Sequence, residues 1–229
     1  EEILRVHAAK KPLGEDVDLK EIARTTAGYT GADLENLMNE AAIITAKDGR
    51  FFINQGDIRQ AFIKTGIGAE KKSRVISEKE KKITAYHEAG HAILFHLLPE
   101  MGPVHTISII PTGMGAAGYT MPLPEQDEMF NSKKKMLENI VVDLGGRVAE
   151  ELIFHDITTG ASQDIKQATQ MARAMVTQYG MSEKVGMIQY GGDEDEVFIG
   201  RDFGHTKSYA DQTAALIDSE VKRIIDESY

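Results

Sequence analysis

The sequence predicts a mainly α-helical protein, a small helical bundle followed by a mostly helical domain that contains a small β element. Three observations predict it. Apolar residues recur at helical spacing in several stretches, capping side chains stand just ahead of some of them, and only one short run is rich in β-branched residues. With 229 residues, 41% of them hydrophobic, the chain is long enough for one large or two small domains. Charge suggests where they divide. Residues 1–75 balance 12 basic against 12 acidic side chains, so of 26 and 36 in the whole chain the remaining 14 and 24 fall in residues 76–229. The charged stretch AEKKSRVISEKEKK at 69–82 lies at this change and suggests a boundary between two modules near residue 75.

In the first module Asp18 with Glu21, Thr30 with Asp33, and Asn54 with Asp57 each place a capping side chain three residues before a carboxylate. Such pairs start helices. Leu34, Leu37, Met38, Ala41 and Ile44 then follow at helical spacing, as do Ile58, Ala61 and Phe62. In the second module 83–98 has no proline until Pro99 and reads as a helix. VHTISIIP at 104–111 favours a strand, GYTMPLP from Gly118 a second one, and the glycine-rich PTGMGAAG between them a connecting loop. Helices are expected over 133–154, from Leu137, Val141, Leu144, Val148 and Leu152, and over 165–179, from Ile165, Ala168, Ala172, Val176 and Tyr179. Residues 180–209 show no period and are expected to be irregular. A last helix is expected over 210–226.

Composition narrows the chemistry. The chain has no cysteine, so any metal must be held by His, Asp or Glu. No run approaches the ~18 apolar residues of a spanning helix, and the opening EEILRVHAAKK is too charged for a signal peptide. A formal charge of −10 argues against a nucleic-acid partner, which would call for a basic footprint.

One pentapeptide carries chemistry. In HEAGH the two histidines, His87 and His91, are four residues apart, so on a helix they project from one face and can reach one zinc ion. Glu88, beside the first of them, can act as the base that takes a proton from water attacking a peptide carbonyl. Ala89 and Gly90 are small enough to let another element pack closely on this helix. A catalytic zinc normally takes three protein ligands, and spacing leaves the third open. His96 is nine residues from His87 and projects elsewhere, and His105 heads a strand. Asp143, Glu150 and Glu151 are accounted for by the polar face of an amphipathic helix. Asp164 opens a helix after a glycine-containing loop, where either metal binding or stabilisation of the helix start would explain it.

Longer motifs bear on this choice. The runs GYTGADLENLMNEAA (28–42), AYHEAGHA (85–92), ISIIPTG, GYTMPLPE, LGGRVAEELIF (144–154), TTGASQDIKQAT (158–169) and YGMSEKVG (179–186) resemble, in order and nearly end to end, the FtsH family of ATP-dependent zinc proteases. The resemblance implies that Asp164 is the third zinc ligand, beside His87 and His91, with Glu88 catalytic. It also implies that residues 1–70 form the helical lid of an AAA ATPase, with Gly31 and Ala32 near the nucleotide. No GxxxxGK[ST] phosphate loop occurs in these 229 residues, so ATP and Mg2+ are expected only in a longer protein of which this chain is a piece. By the same resemblance that protein is a homo-hexamer in the bacterial inner membrane, with this part on the cytoplasmic side and soluble by itself. Its substrates are unfolded or extended protein segments, for which Thr106, Ile107, Ser108, Ile109 and Ile110 form a candidate aligning strand. A ring-assembly module that does not use its metal site is the alternative reading.

Overall fold

Capping side chains set the starts of three of the four helices described in the first 66 residues, as their spacing implies, while the first of the four begins without one. In this computed structural model, which describes residues 1–66, 68, 76–112, 116–122, 130–190 and 209–229, the Asp18 carboxylate accepts from the backbone N–H groups of Lys20 and Glu21 at the head of α2 (Leu19–Thr25). Thr30 and Asp33 cap each other reciprocally at the head of α3 (Gly31–Lys47). Asn54 and Asp57 do the same before α4 (Gln55–Gly66), with Asp57 N donating to Asn54 Oδ1 over 2.8 Å and Asn54 N to Asp57 Oδ2 over 3.0 Å. The short α1 (Glu2–Ala8) packs on α3, and α3 on α4. Their shared core contains Leu4, Ile22, Leu37, Met38, Ile53 and Ile58.

Asp57 has a second role that its spacing does not reveal. It is buried, and besides its cap it accepts from Thr45 Oγ1 at 2.8 Å and from both terminal nitrogens of Arg50, at 2.7 and 2.5 Å. These bonds hold its carboxyl down at about 2, the guanidinium contributing most.

Helix α5 (Glu78–Leu97) carries HEAGH and begins earlier than the expected 83. The reason lies in the charged stretch itself. Ser77 Oγ accepts from Glu80 N at 3.2 Å while Glu80 Oε2 accepts from Ser77 N at 3.3 Å, a capping box inside what reads as linker. Strand β1 (Val104–Ser108) pairs antiparallel with β2 (Tyr119–Pro122) in a two-stranded sheet, with Ile107 opposite Thr120 and Ser108 opposite Tyr119. β1 ends before Ile109 and Ile110, because Ser108 Oγ takes the Ile110 N–H over 3.1 Å and turns the chain into Pro111. Part of the expected glycine-rich loop, 113–115, and residues 123–129 lie outside the described residues.

Helix α6 (Lys133–Phe154) keeps the expected bounds, opened by Ser132 Oγ on Lys135 N and closed by His155 in the left-handed region at φ 53°. A 3-10 turn at Thr159–Ala161 leads into α7 (Ser162–Thr177), and α8 (Asp211–Ser228) ends the chain. α6, α7 and α8 pack on one another through Ile140, Leu144, Ala172, Met175, Val176 and Ile217. Glu220 of α8 is buried in this bundle beside Ser182, Lys184 and Arg223. Of the segment expected to be irregular, 181–190 carries no helix or strand and 191–208 lies outside the described residues.

The chain divides into two compact units, one comprising 1–88 with 102–129 and the other 89–101 with 130–229. Among the described residues no helix is long and apolar enough to cross a membrane.

Candidate metal centre

Two glycines bring α6 against the ligand-bearing helix. A Cβ on Gly90 would stand 2.4 Å from the carbonyl oxygen of Gly145, and one on Gly145 would meet Leu94 Cδ1 at 2.5 Å and the Gly90 oxygen at 3.0 Å. Only backbones without side chains approach this closely, so the expectation from Ala89 and Gly90 is met with Gly145 as the counterpart.

That approach decides the state of one histidine. His91, 8% exposed, has its Nδ1 2.7 Å from the main-chain oxygen of Val142. A carbonyl can only accept, so Nδ1 carries the proton and Nε2 presents the lone pair, as a metal-ligating histidine requires. His91 Nε2 lies 3.9 Å from Asp164 Oδ2. Ligand atoms of His87, His91 and Asp164 all lie within 4.8 Å of one another. Two ligands of a tetrahedral zinc at about 2.1 Å stand about 3.4 Å apart, so the three would close by on the order of an ångström to hold one ion.

A neighbouring carboxyl registers both its burial and the charge of Asp164. Burial, with the Asp164 carboxylate adding its repulsion, pushes the Asp143 carboxyl up to about 7. Asp164 is the third residue of α7, whose N-cap, Ala161, supplies no side-chain cap.

Glu88 is 6% exposed and is reached from β2. Thr120 Oγ1 lies 2.8 Å from its Oε2 and 3.1 Å from its main-chain oxygen. A Cβ on Gly118 would come within 2.9 Å of Glu88 Oε1 and 2.6 Å of the Ser108 oxygen, so the chain passes here only as glycine.

The other candidates fall elsewhere. His96 is exposed near the end of α5, and the His105 ring packs edge-on against Phe62 with centroids 6.4 Å apart. Glu150 does not lie on a solvated face as its helix pattern suggests. It is 1% exposed and accepts the Thr158 N–H at 2.8 Å, stabilising the loop after α6. Gly31 and Ala32 form the first turn of α3. Sequence reasoning misses the Val142 oxygen, Gly145 and Thr120. A main-chain oxygen carries no sequence signal, but the Gly-Gly pair within a helix and the glycine leading into β2 both mark close approaches.

Comparison with known proteins gives concordant matches. Residues 74–229 match the family described as "Peptidase family M41", and residues 16–60 match the "AAA+ lid domain". Over all 229 residues the chain is 56% identical to the "ATP-dependent zinc metalloprotease FtsH" of Caldicellulosiruptor bescii and 54% identical to "ATP-dependent zinc metalloprotease FtsH 1" of Thermoanaerobacter sp.. It covers 37% of the length of each of these relatives. It is also 52% identical over 227 residues to the FtsH of Rubrobacter xylanophilus, covering 35% of that protein.

Proposed function

The chain belongs to peptidase family M41, and from that membership we propose that it is the zinc endopeptidase part of a membrane-anchored, ATP-dependent protease that degrades unfolded or misassembled proteins. The observation that carries the reading is the convergence of His87, His91 and Asp164. These three would hold the metal. Bound there, zinc would supply Lewis acidity, acidifying a water molecule and polarising the scissile carbonyl. Glu88 takes the proton of the attacking water on its carboxylate and returns it to the leaving amine. Its burial excludes competing solvent from that exchange. Val142 keeps the His91 ring in the required tautomer.

Substrate is read as an extended segment lying along β1. Among the described residues β1 has β2 as its only strand partner, so the opposite edge of Thr106, Ile107 and Ser108, continued by Ile109 and Ile110, is the proposed alignment edge. Main-chain bonds of that kind give low sequence selectivity. Residues 1–70 are proposed to be the AAA lid, with Gly31 and Ala32 toward nucleotide in the whole protein, and 77–229 the peptidase domain. The whole protein is proposed to act as a hexamer at the bacterial inner membrane, its peptidase part on the cytoplasmic side.

Glu88→Gln tests the reading, because the amide preserves shape while removing the base. The variant should keep one zinc per chain by metal analysis and lose casein hydrolysis by roughly 100-fold or more. Full turnover by zinc-loaded Glu88→Gln protein would overturn the assignment.

A further inference from the structure

We propose that Thr120 is a positioning residue for the base, its hydroxyl fixing the Glu88 carboxylate through Oε2. The inference rests on the reading of Glu88 as that base. A glutamate has three rotatable side-chain bonds, and on an exposed helix face it would sample many rotamers. Glu88 is instead buried, with a hydroxyl 2.8 Å from one carboxylate oxygen. That hydroxyl is itself well fixed. Thr120 sits opposite Ile107 within the β1–β2 ladder, and its branched side chain has few rotamers open to it. Its single proton has two acceptors within reach, the carboxylate at 2.8 Å and the Glu88 main-chain oxygen at 3.1 Å. The shorter contact goes to the charged one, where a hydrogen bond is stronger.

The strand thus distinguishes the two carboxylate oxygens. Oε2 is the anchored one, and Oε1 lies beside Gly118, where the missing Cβ leaves the space it occupies. The same short segment that offers β1 its partner therefore also orients the group that moves the proton. Displacement of β2 would turn the base out of register while leaving His87, His91 and Asp164 untouched.

Four forms of the zinc-loaded protein separate the hydroxyl from the methyl group. Threonine and Thr120→Val share the branched shape and differ in the hydroxyl, and Thr120→Ser and Thr120→Ala share the smaller shape and differ in the same group. The readouts are zinc content, affinity for a simple peptide hydroxamate, whose hydroxyl bonds the base while it chelates the metal, and kcat against KM on unfolded casein. Val and Ala should keep one zinc per chain but bind hydroxamate about tenfold more weakly and lose roughly 10- to 100-fold in kcat at near-constant KM. Ser should stay within about threefold of the unsubstituted protein on both measures, since it keeps the donor. Equal loss in Ser and Ala would overturn the proposal in favour of packing by the methyl group, and so would full hydroxamate affinity in Val and Ala. If Val fails to fold, the Ser and Ala pair decides by itself. An unsubstituted protein that takes up no zinc would instead overturn the proposed function beneath the inference.

Discussion

Asp164 and Glu150 show how differently two carboxylates can be used when each lies near a helix terminus. Glu150 is enclosed and accepts a main-chain N–H of the following loop, while Asp164 is directed to within 3.9 Å of the lone-pair nitrogen of His91. The two carboxylates therefore predict opposite responses to the same chemical change. Asp164→Asn should lower zinc affinity by about 100-fold or more, because a neutral amide is a poor zinc ligand, with little change in stability of the metal-free protein. Glu150→Gln should leave zinc affinity intact. Competition with a chromophoric chelator measures both, and a reversed order would place the third ligand at Glu150. This choice could not be read from spacing, which allows either residue. Deciding it takes the tertiary position of α7, or the likeness of TTGASQD to known proteins.

At the scale of elements, what the sequence exposed was whatever depends on near neighbours. The Asp18, Thr30 and Asn54 caps, the full extent of α6 and the helical setting of HEAGH all follow from side chains within a turn or two of one another. The early start of α5 was equally local, but the Ser77 and Glu80 pair was masked by the charge around it. Hidden, by contrast, were relations across elements: Val142 to His91, Thr120 to Glu88, Arg50 to Asp57. The Gly90 and Gly145 contact lies between these cases, since small residues were visible and their partner was not. It yields a sharp prediction. Gly90→Ala gains about 1 kcal/mol of helix propensity, yet the new Cβ meets a main-chain oxygen at 2.4 Å, and overpacking against backbone costs about 1–3 kcal/mol. Forcing the two helices apart also pulls the Val142 oxygen from His91. Zinc affinity should therefore fall roughly 10-fold or more, and unchanged affinity in Gly90→Ala would show that the close approach does not hold the ligand.

Over the whole molecule, a buried carboxylate tied to a guanidinium is found among the described residues of each compact unit, Asp57 with Arg50 in the first and Glu220 with Arg223 in the second. Both are held at about 2, Asp57 chiefly by Arg50 and Glu220 chiefly by Arg223, against ordinary values of 3.8 and 4.5. A folded-state value below the unfolded one means that the unfolded chain binds the proton more readily. The stabilisation is thus complete above about 4.5 and is lost as pH falls toward about 2, in both units together. Because the guanidinium partners are more than one-third exposed, screening limits it to on the order of 1–2 kcal/mol per carboxylate. Urea unfolding of metal-free protein between pH 7 and 2 checks this without interference from histidines releasing zinc. Asp57→Asn and Glu220→Gln should each be less stable at pH 7, and each should lose less further stability on acidification than the unsubstituted protein. Should both variants fall with pH as steeply as the parent, the acid sensitivity would belong to other carboxylates, and the two buried pairs would matter only as packing.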